Sequence, residues 1–255
     1  MKVTVLGGTG TLGGRVAERL AARGHKVVAA SRSTGVDVVE GRKLKKAVRK
    51  ADVVVDCLNV ETASGRKAVD FFTRSATHAA AAAERAEAGR IVVVSIHGAA
   101  DPEVNRLMGY YRGKAAQERI YGSAGLPVTL IRSTQWFELL PALVGRTGLG
   151  PFAVPPSMRM APVAADRVAA LVVREVEAPG DEDRVLTIRG PQEATAQEML
   201  RTLLRYREVF PEHLPRFILP VPYLGRAIAG GALIPEGGLV DTVTLEDWVR
   251  GSPAR

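Results

Sequence analysis

The residues that could do chemistry in this chain are few and unevenly placed. In "GYYRGKAAQE", Tyr110 and Lys114 stand four residues apart, so on a helix they share a face. A free phenol titrates near about 10 and is a poor acid–base group at neutrality. A neighbouring ammonium favours the phenolate and lowers that value. Such a pair is a proton-transfer device suited to a carbonyl oxygen. Tyr111, one residue on, points elsewhere on the helix. Ser95 closes the run "RIVVVSI", where a hydroxyl could hold a substrate oxygen or simply end a strand. His97, two residues further, reads as a loop histidine.

A second group lies in "VLGGTGTLGG", residues 5–14. Gly7, Gly10 and Gly13 fall three apart, after a strand-like run and before a helical pattern, the context a phosphate-binding turn requires. Gly7 allows the tight turn, Gly10 a close backbone approach to a pyrophosphate, and Gly13 close helix–sheet packing. Thr9, Thr11 and Leu12 complete the loop and the first helical turn. Anions are favoured there by free N–H groups and the helix dipole. A ligand-free glycine turn is the alternative. At the end of the next strand stands "AASRS". It has no Asp or Glu to bond a ribose 2′-hydroxyl. Arg32 instead offers a planar fork to a 2′-phosphate, with Ser31 or Ser33 as further donors. This pattern predicts NADP(H) in preference to NAD(H); a surface Arg in a loop is the bland reading.

These residues need elements to hold them. Apolar, β-branched runs predict strands at 2–6, 26–30, 36–39, 52–58, 90–96 and 127–133. Helical patterns fill 12–23, 66–88 (with Gly89 as its stop) and 103–122. The alternation predicts an α/β fold: a doubly wound, mostly parallel Rossmann-type sheet covered on both faces. The rhythm breaks near residue 140. A Pro-rich loop at 150–163, a helix at 165–177 and a strand at 184–190, returning to the sheet, follow. Thr195 and Glu198 have capping-box spacing. Residues 211–240 read as irregular, and 244–249 as a last helical turn. We therefore expect a dinucleotide-binding core over 1–140. A smaller C-terminal region over 141–255 is expected to bind substrate as a lid at the carboxyl ends of the strands.

Composition narrows the classes. Of 255 residues, 46% are apolar and 24% charged, ordinary for a globular chain. No run of 18 apolar residues occurs, so no membrane span is expected. The N-terminus lacks the layout of a secretory signal, and Cys57 is alone, which predicts a reducing, cytoplasmic location. The histidines His25, His78, His97 and His213 are scattered, so no metal site is expected. The formal charge is +8, and "RKLKKAVRK" at 42–50 carries six basic side chains. It reads as a solvated helix face; no aromatic residue interleaves it, which argues against nucleic acid.

The spacing in "GGTGTLG" resembles the extended and atypical branches of the short-chain dehydrogenase/reductase superfamily. "VDFFTRSATH", "VVVSIHG", "YYRGKAAQE", "GLPVTLIRSTQWFE" and "LIPEGG…TLEDW" resemble its NmrA-like, NAD(P)H-binding atypical members over nearly the whole chain. The Ser95–Tyr110 separation is shorter than in the extended enzymes. The resemblance implies that "RSTQWF" runs beside the nicotinamide, with Ser133 on the cofactor and Gln135, Trp136 and Phe137 toward the substrate. Packing in the core is the alternative for the aromatic pair. It also implies that Asn59 lies beside the adenosine half. The expected function is an NADPH-dependent reductase of a carbonyl or quinone on an aromatic or apolar small molecule. Tyr110 would protonate the oxygen, Lys114 would bond the nicotinamide ribose, and Ser95 would hold the substrate. The alternative is a non-catalytic, cofactor-binding redox sensor acting through a protein partner. A monomer or homodimer fits either.

Overall fold

A computed structural model describes residues 1–62, 64–149, 151–206 and 215–251. His213, and residues 211–214 of the stretch expected to be irregular, lie outside the described residues. The elements begin with β1 (Lys2–Leu6), α1 (Thr11–Ala22), β2 (Lys26–Ala30), α2 (Leu44–Val48), β3 (Val53–Asp56) and α3 (Gly65–Arg85). They continue with β4 (Arg90–Ile96), α4 (Pro102–Asn105), α5 (Gly109–Tyr121), β5 (Val128–Ser133) and α6 (Leu139–Thr147). Three two-residue strands follow: β6 (Gly148–Leu149), β7 (Phe152–Ala153) and β8 (Arg159–Met160). Next come α7 (Ala165–Glu177), β9 (Arg184–Arg189), β10 (Ala194–Thr195) and α8 (Ala196–Leu203). The last are β11 (Phe217–Ile218), α9 (Arg226–Gly230), β12 (Leu239–Val240) and α10 (Leu245–Gly251).

The chain divides into two compact units, one of Met1–Arg132 with Asp166–Leu186, the other of Ser133–Ala165 with Thr187–Arg255. A single cut at residue 140 does not describe this: the α7 segment returns to the first unit. In that unit the sheet runs β2-β1-β3-β4-β5-β9, with parallel ladders joining β1 to β2, β1 to β3 and β3 to β4. The fold is thus the expected α/β, Rossmann-like one. The chain steps from β1 to β2 on one side and to β3 on the other. The carboxyl ends of β1 and β3 therefore flank the switch point at which such sheets bind ligands. Val3, Val5, Val54, Val55, Ile91, Val92 and Val93 are essentially inaccessible, as strands covered on both faces must be.

One face of that sheet packs on α2, α3 and the end of α5, through Leu44, Val48, Ala76, Ala79, Ala83 and Tyr121. Two close approaches seat α5 on α3. A Cβ at Gly109 would lie 2.0 Å from Gly65 Cα, and one at Gly113 would lie 2.6 Å from the Phe72 ring. Backbone therefore meets backbone where the two helices begin. α7 is tied to the same unit by Arg19–Asp166 and Arg23–Glu177 ion pairs, and by Arg90, which donates to Val176 O at 2.5 Å.

Four local expectations change. Residues 36–39 form no strand. Val36 and Val38 are buried, but the segment lies in turns with a single Asp37–Arg42 bridge. The helix expected over 103–122 is two, α4 and α5, separated at Arg106–Met108. The left-handed residue after α3 is Glu87, at φ 53°, rather than Gly89, whose N–H bonds Asp52 O. In the second unit β12, from the stretch read as irregular, pairs in parallel with the end of β9. The capping box of Thr195 and Glu198 is formed, and it opens α8.

Candidate active site

The glycine loop between β1 and α1 is shaped by its lack of side chains. Gly7 sits at φ 72°, and a Cβ there would lie 2.8 Å from Cys57 O. A Cβ at Gly13 would lie 2.2 Å from Gly7 O. Gly8, which the spacing argument passed over, is equally confined, with Ala29 Cα and Val5 O each 2.8 Å from an added Cβ. Gly10 is the N-cap of α1, makes no side-chain cap bond, and no acidic residue stands in the first turn. The first N–H groups of Thr11, Leu12 and Gly13 are thus presented to an anion, which fits a dinucleotide pyrophosphate.

At the end of β2, Ser31 caps a short 3₁₀ turn over Arg32–Thr34. Its hydroxyl lies 2.7 Å from that of Ser33, which in turn lies 3.3 Å from that of Thr9. This hydroxyl chain joins the glycine loop to the turn. Arg32 is exposed, and its guanidinium has no partner among the described residues.

The ends of β3 and β4 hold the remaining groups. Asn59 accepts a hydrogen bond from the Tyr110 hydroxyl at 2.8 Å. Tyr110 packs edge-on against Phe72 at 5.6 Å. Burial, with smaller contributions from Tyr111 and Glu61, pushes its phenol up rather than down. Lys114 does not act as expected on it. The lysine is 4% exposed, and its ammonium donates to Val94 O at 3.1 Å, Gln117 Oε1 at 3.0 Å and Leu58 O at 3.5 Å. It also lies over the Phe72 ring. Burial lowers it to about 8, opposed by the Asp56 carboxylate.

Asp56 is the group that sequence reasoning missed. Fully buried at the end of β3, it accepts from Tyr121 at 2.7 Å, from Gln117 Nε2 at 2.8 Å and from Leu58 N at 2.8 Å. Gln117 therefore bridges the carboxylate to Lys114. A lone acidic residue ending an apolar strand was the available signal, since a charge buried there must be paired.

Ser95, 1% exposed, keeps a hydroxyl with no partner among the described residues, and His97 Nδ1 is likewise buried without a partner among them. Burial, then the Arg132 guanidinium, lowers the imidazole, with Glu118 opposing. In the second unit both amide atoms of Gln135 lack a partner among the described residues, and the half-buried Trp136 donates to Ser133 Oγ at 3.0 Å. Phe137 is fully buried against Trp248 at 5.7 Å, which is the core-packing alternative.

Known proteins bear on this arrangement. No curated protein matches the chain. Among solved structures it resembles a nucleoside-diphosphate-sugar epimerase of Staphylococcus aureus (TM-score 0.72, 15% identity, 98% of this chain and 100% of that one). It also resembles a dTDP-4-dehydrorhamnose reductase of Clostridium acetobutylicum (0.70, 16%, 98% of both). A third is a short-chain dehydrogenase/reductase superfamily protein of Agrobacterium tumefaciens with NAD bound (0.68, 13%, 98% and 95%). At these identities the likeness is one of fold. The NAD(P)H-binding family matches residues 7–179, from the first glycine of the loop to two residues past α7, and the chain belongs to that family.

Proposed function

We propose that this protein is an NADP(H)-dependent oxidoreductase of the NmrA-like, atypical short-chain type. It reduces a carbonyl or quinone on an apolar, aromatic small molecule. The observation that carries the reading is the unpartnered Ser95 hydroxyl at the carboxyl end of β4, where sheets of this kind take their ligands. A buried hydroxyl without a bond costs about 1–3 kcal/mol, which a substrate oxygen would recover.

The loop and the N-terminus of α1 hold the pyrophosphate, and Arg32 with Ser31 and Ser33 takes the 2′-phosphate. The bound, reduced nicotinamide supplies a hydride. Ser95 holds the substrate oxygen. Tyr110, kept as a neutral phenol by its burial, carries the proton that oxygen needs, with Asn59 as its resting acceptor. A cytoplasmic monomer or homodimer belongs to the same proposal, with no nucleic-acid role.

A second reading has its own observation. The Tyr110 hydroxyl is engaged by Asn59, and all three Lys114 donors point at protein acceptors, an arrangement that suits a cofactor-binding sensor without turnover. The two separate in one assay: NADPH with a panel of quinones and ketones, followed by nicotinamide absorbance. Substrate-dependent oxidation that falls at least tenfold in Ser95→Ala supports the enzyme. Tight NADPH binding with no turnover on the panel supports the sensor. In either case Arg32→Ala should weaken NADPH at least tenfold and leave NADH unchanged. Equal losses for both cofactors refute the phosphate role of Arg32.

A further inference from the structure

The basic stretch 42–50 has no part in the site above, yet it shapes a cavity. A groove of about 570 Å³ opens between α2 and the C-terminal part of α3. It shares no residue with the glycine loop or with Ser95, Tyr110 and Lys114. Its floor includes Leu44, Ala82 and Ala86, small or apolar side chains that leave a concave surface. Its rim carries Lys45, Arg49, Lys50 and Arg85.

None of these four cations has a carboxylate partner among the described residues. On the same unit Arg19, Arg23, Arg42 and Arg74 are each paired. Glu87 is the one acidic residue in the lining. The carbonyls of Ala82, Ala83 and Glu84 at the end of α3 accept from the N–H groups of Ala86, Glu87 and Ala88. The volume lies in the range of small-molecule sites, roughly 300–1,000 Å³. A concave, apolar floor does not suit a nucleic-acid backbone, and no Phe, Tyr or Trp lines the groove; its one ring, the imidazole of His78, lies against Val38 O at 3.2 Å.

We propose that this groove binds a small anionic amphiphile: an apolar body on the floor, and a carboxylate or phosphate monoester held by the rim cations. Like-charged, unpaired side chains around a low-dielectric wall focus the potential that such a head group meets.

Isothermal titration of the full chain with decanoate and with decyl phosphate tests this, with decanol as the neutral control. We expect saturable one-to-one binding of at least one anion, at least tenfold tighter than decanol. The tighter head group identifies the source. Saturating NADPH should leave it unchanged, and Lys45→Glu with Arg49→Glu should weaken it at least tenfold. Both residues are exposed, so the fold is not at stake, and unchanged circular dichroism confirms that. Lys46→Glu, on the same helix but outside the lining, should change affinity less than twofold. No saturable binding of either anion, equal binding of decanol, competition by NADPH, or an equal loss in Lys46→Glu would each overturn the proposal.

Discussion

Replacing Asp56 by Asn tests the buried network beneath the site. The carboxylate receives three donors: Leu58 N on one oxygen, Gln117 Nε2 and the Tyr121 hydroxyl on the other. An amide has only one oxygen. If it faces Leu58 N, its NH₂ confronts two donors; if it faces Gln117 and Tyr121, the NH₂ confronts one. Gln117 could turn its own oxygen toward the new amide, but that oxygen now accepts from Lys114. At least one buried, charge-assisted bond is lost in every arrangement, about 1.5–3 kcal/mol, and Lys114 loses its anionic neighbour as well. We expect a destabilisation of about 2–4 kcal/mol in urea unfolding, a large share of the roughly 5–15 kcal/mol of a typical domain. For a chain of this size that lowers Tm by at least about 4 °C. A loss below about 0.5 kcal/mol, the scale of an ordinary surface change, would refute the claim that the carboxylate organises these residues.

Two further outcomes follow from the same geometry. Lys114 titrates near 8 when folded and near its ordinary 10.5 when unfolded, so between those values the unfolded chain binds more protons. Lys114 alone therefore adds up to about 1.4 kcal/mol of stability per unit above pH 8, while the Cys57 thiol from about pH 9 and the phenols of Tyr110, Tyr111 and Tyr121 from about pH 10, all raised by burial, oppose it, so the parent chain gains on Lys114→Met as the pH rises. Urea unfolding of both chains across pH 7–10 measures this; a stability difference between them that stays flat over that range contradicts it. Gly13→Ala would place a Cβ 2.2 Å from Gly7 O, forcing the loop to move. Losing about two charge-assisted bonds to phosphate, about 3 kcal/mol, should weaken NADPH roughly 100-fold in calorimetry. Affinity within threefold of the parent chain would show that the loop holds no phosphate.

How much of this was legible in sequence depended on range. β1, β3 and β4 announce themselves as β-branched runs because both faces of each strand are covered. Val36 and Val38 alternate like a strand, yet they plug the core from a turn, since alternation reports burial and not pairing. Tyr110 and Lys114 do lie on one helix at the expected spacing. Spacing places the Cα atoms, however, and the lysine rotamer is set by Gln117 and by carbonyls of β4 and the β3 end. Asp56 finds its partners 61 and 65 residues away, a separation on which no local pattern reports.

The contact of Gly65 with Gly109 has a consequence for how the protein would look under random mutagenesis. Tyr110 follows directly after Gly109, so the height of that helix start above its neighbour sets where the phenol stands. If Tyr110 carries the proton as proposed, any side chain at either glycine works as a shim beneath it, and a displacement of about 1 Å there can cost on the order of 100-fold in rate. A screen scored on activity alone would mark both glycines as if they took part in the reaction. Neither has an atom beyond its backbone to offer, and only a second substitution that restores the helix height could tell the mount from the tool.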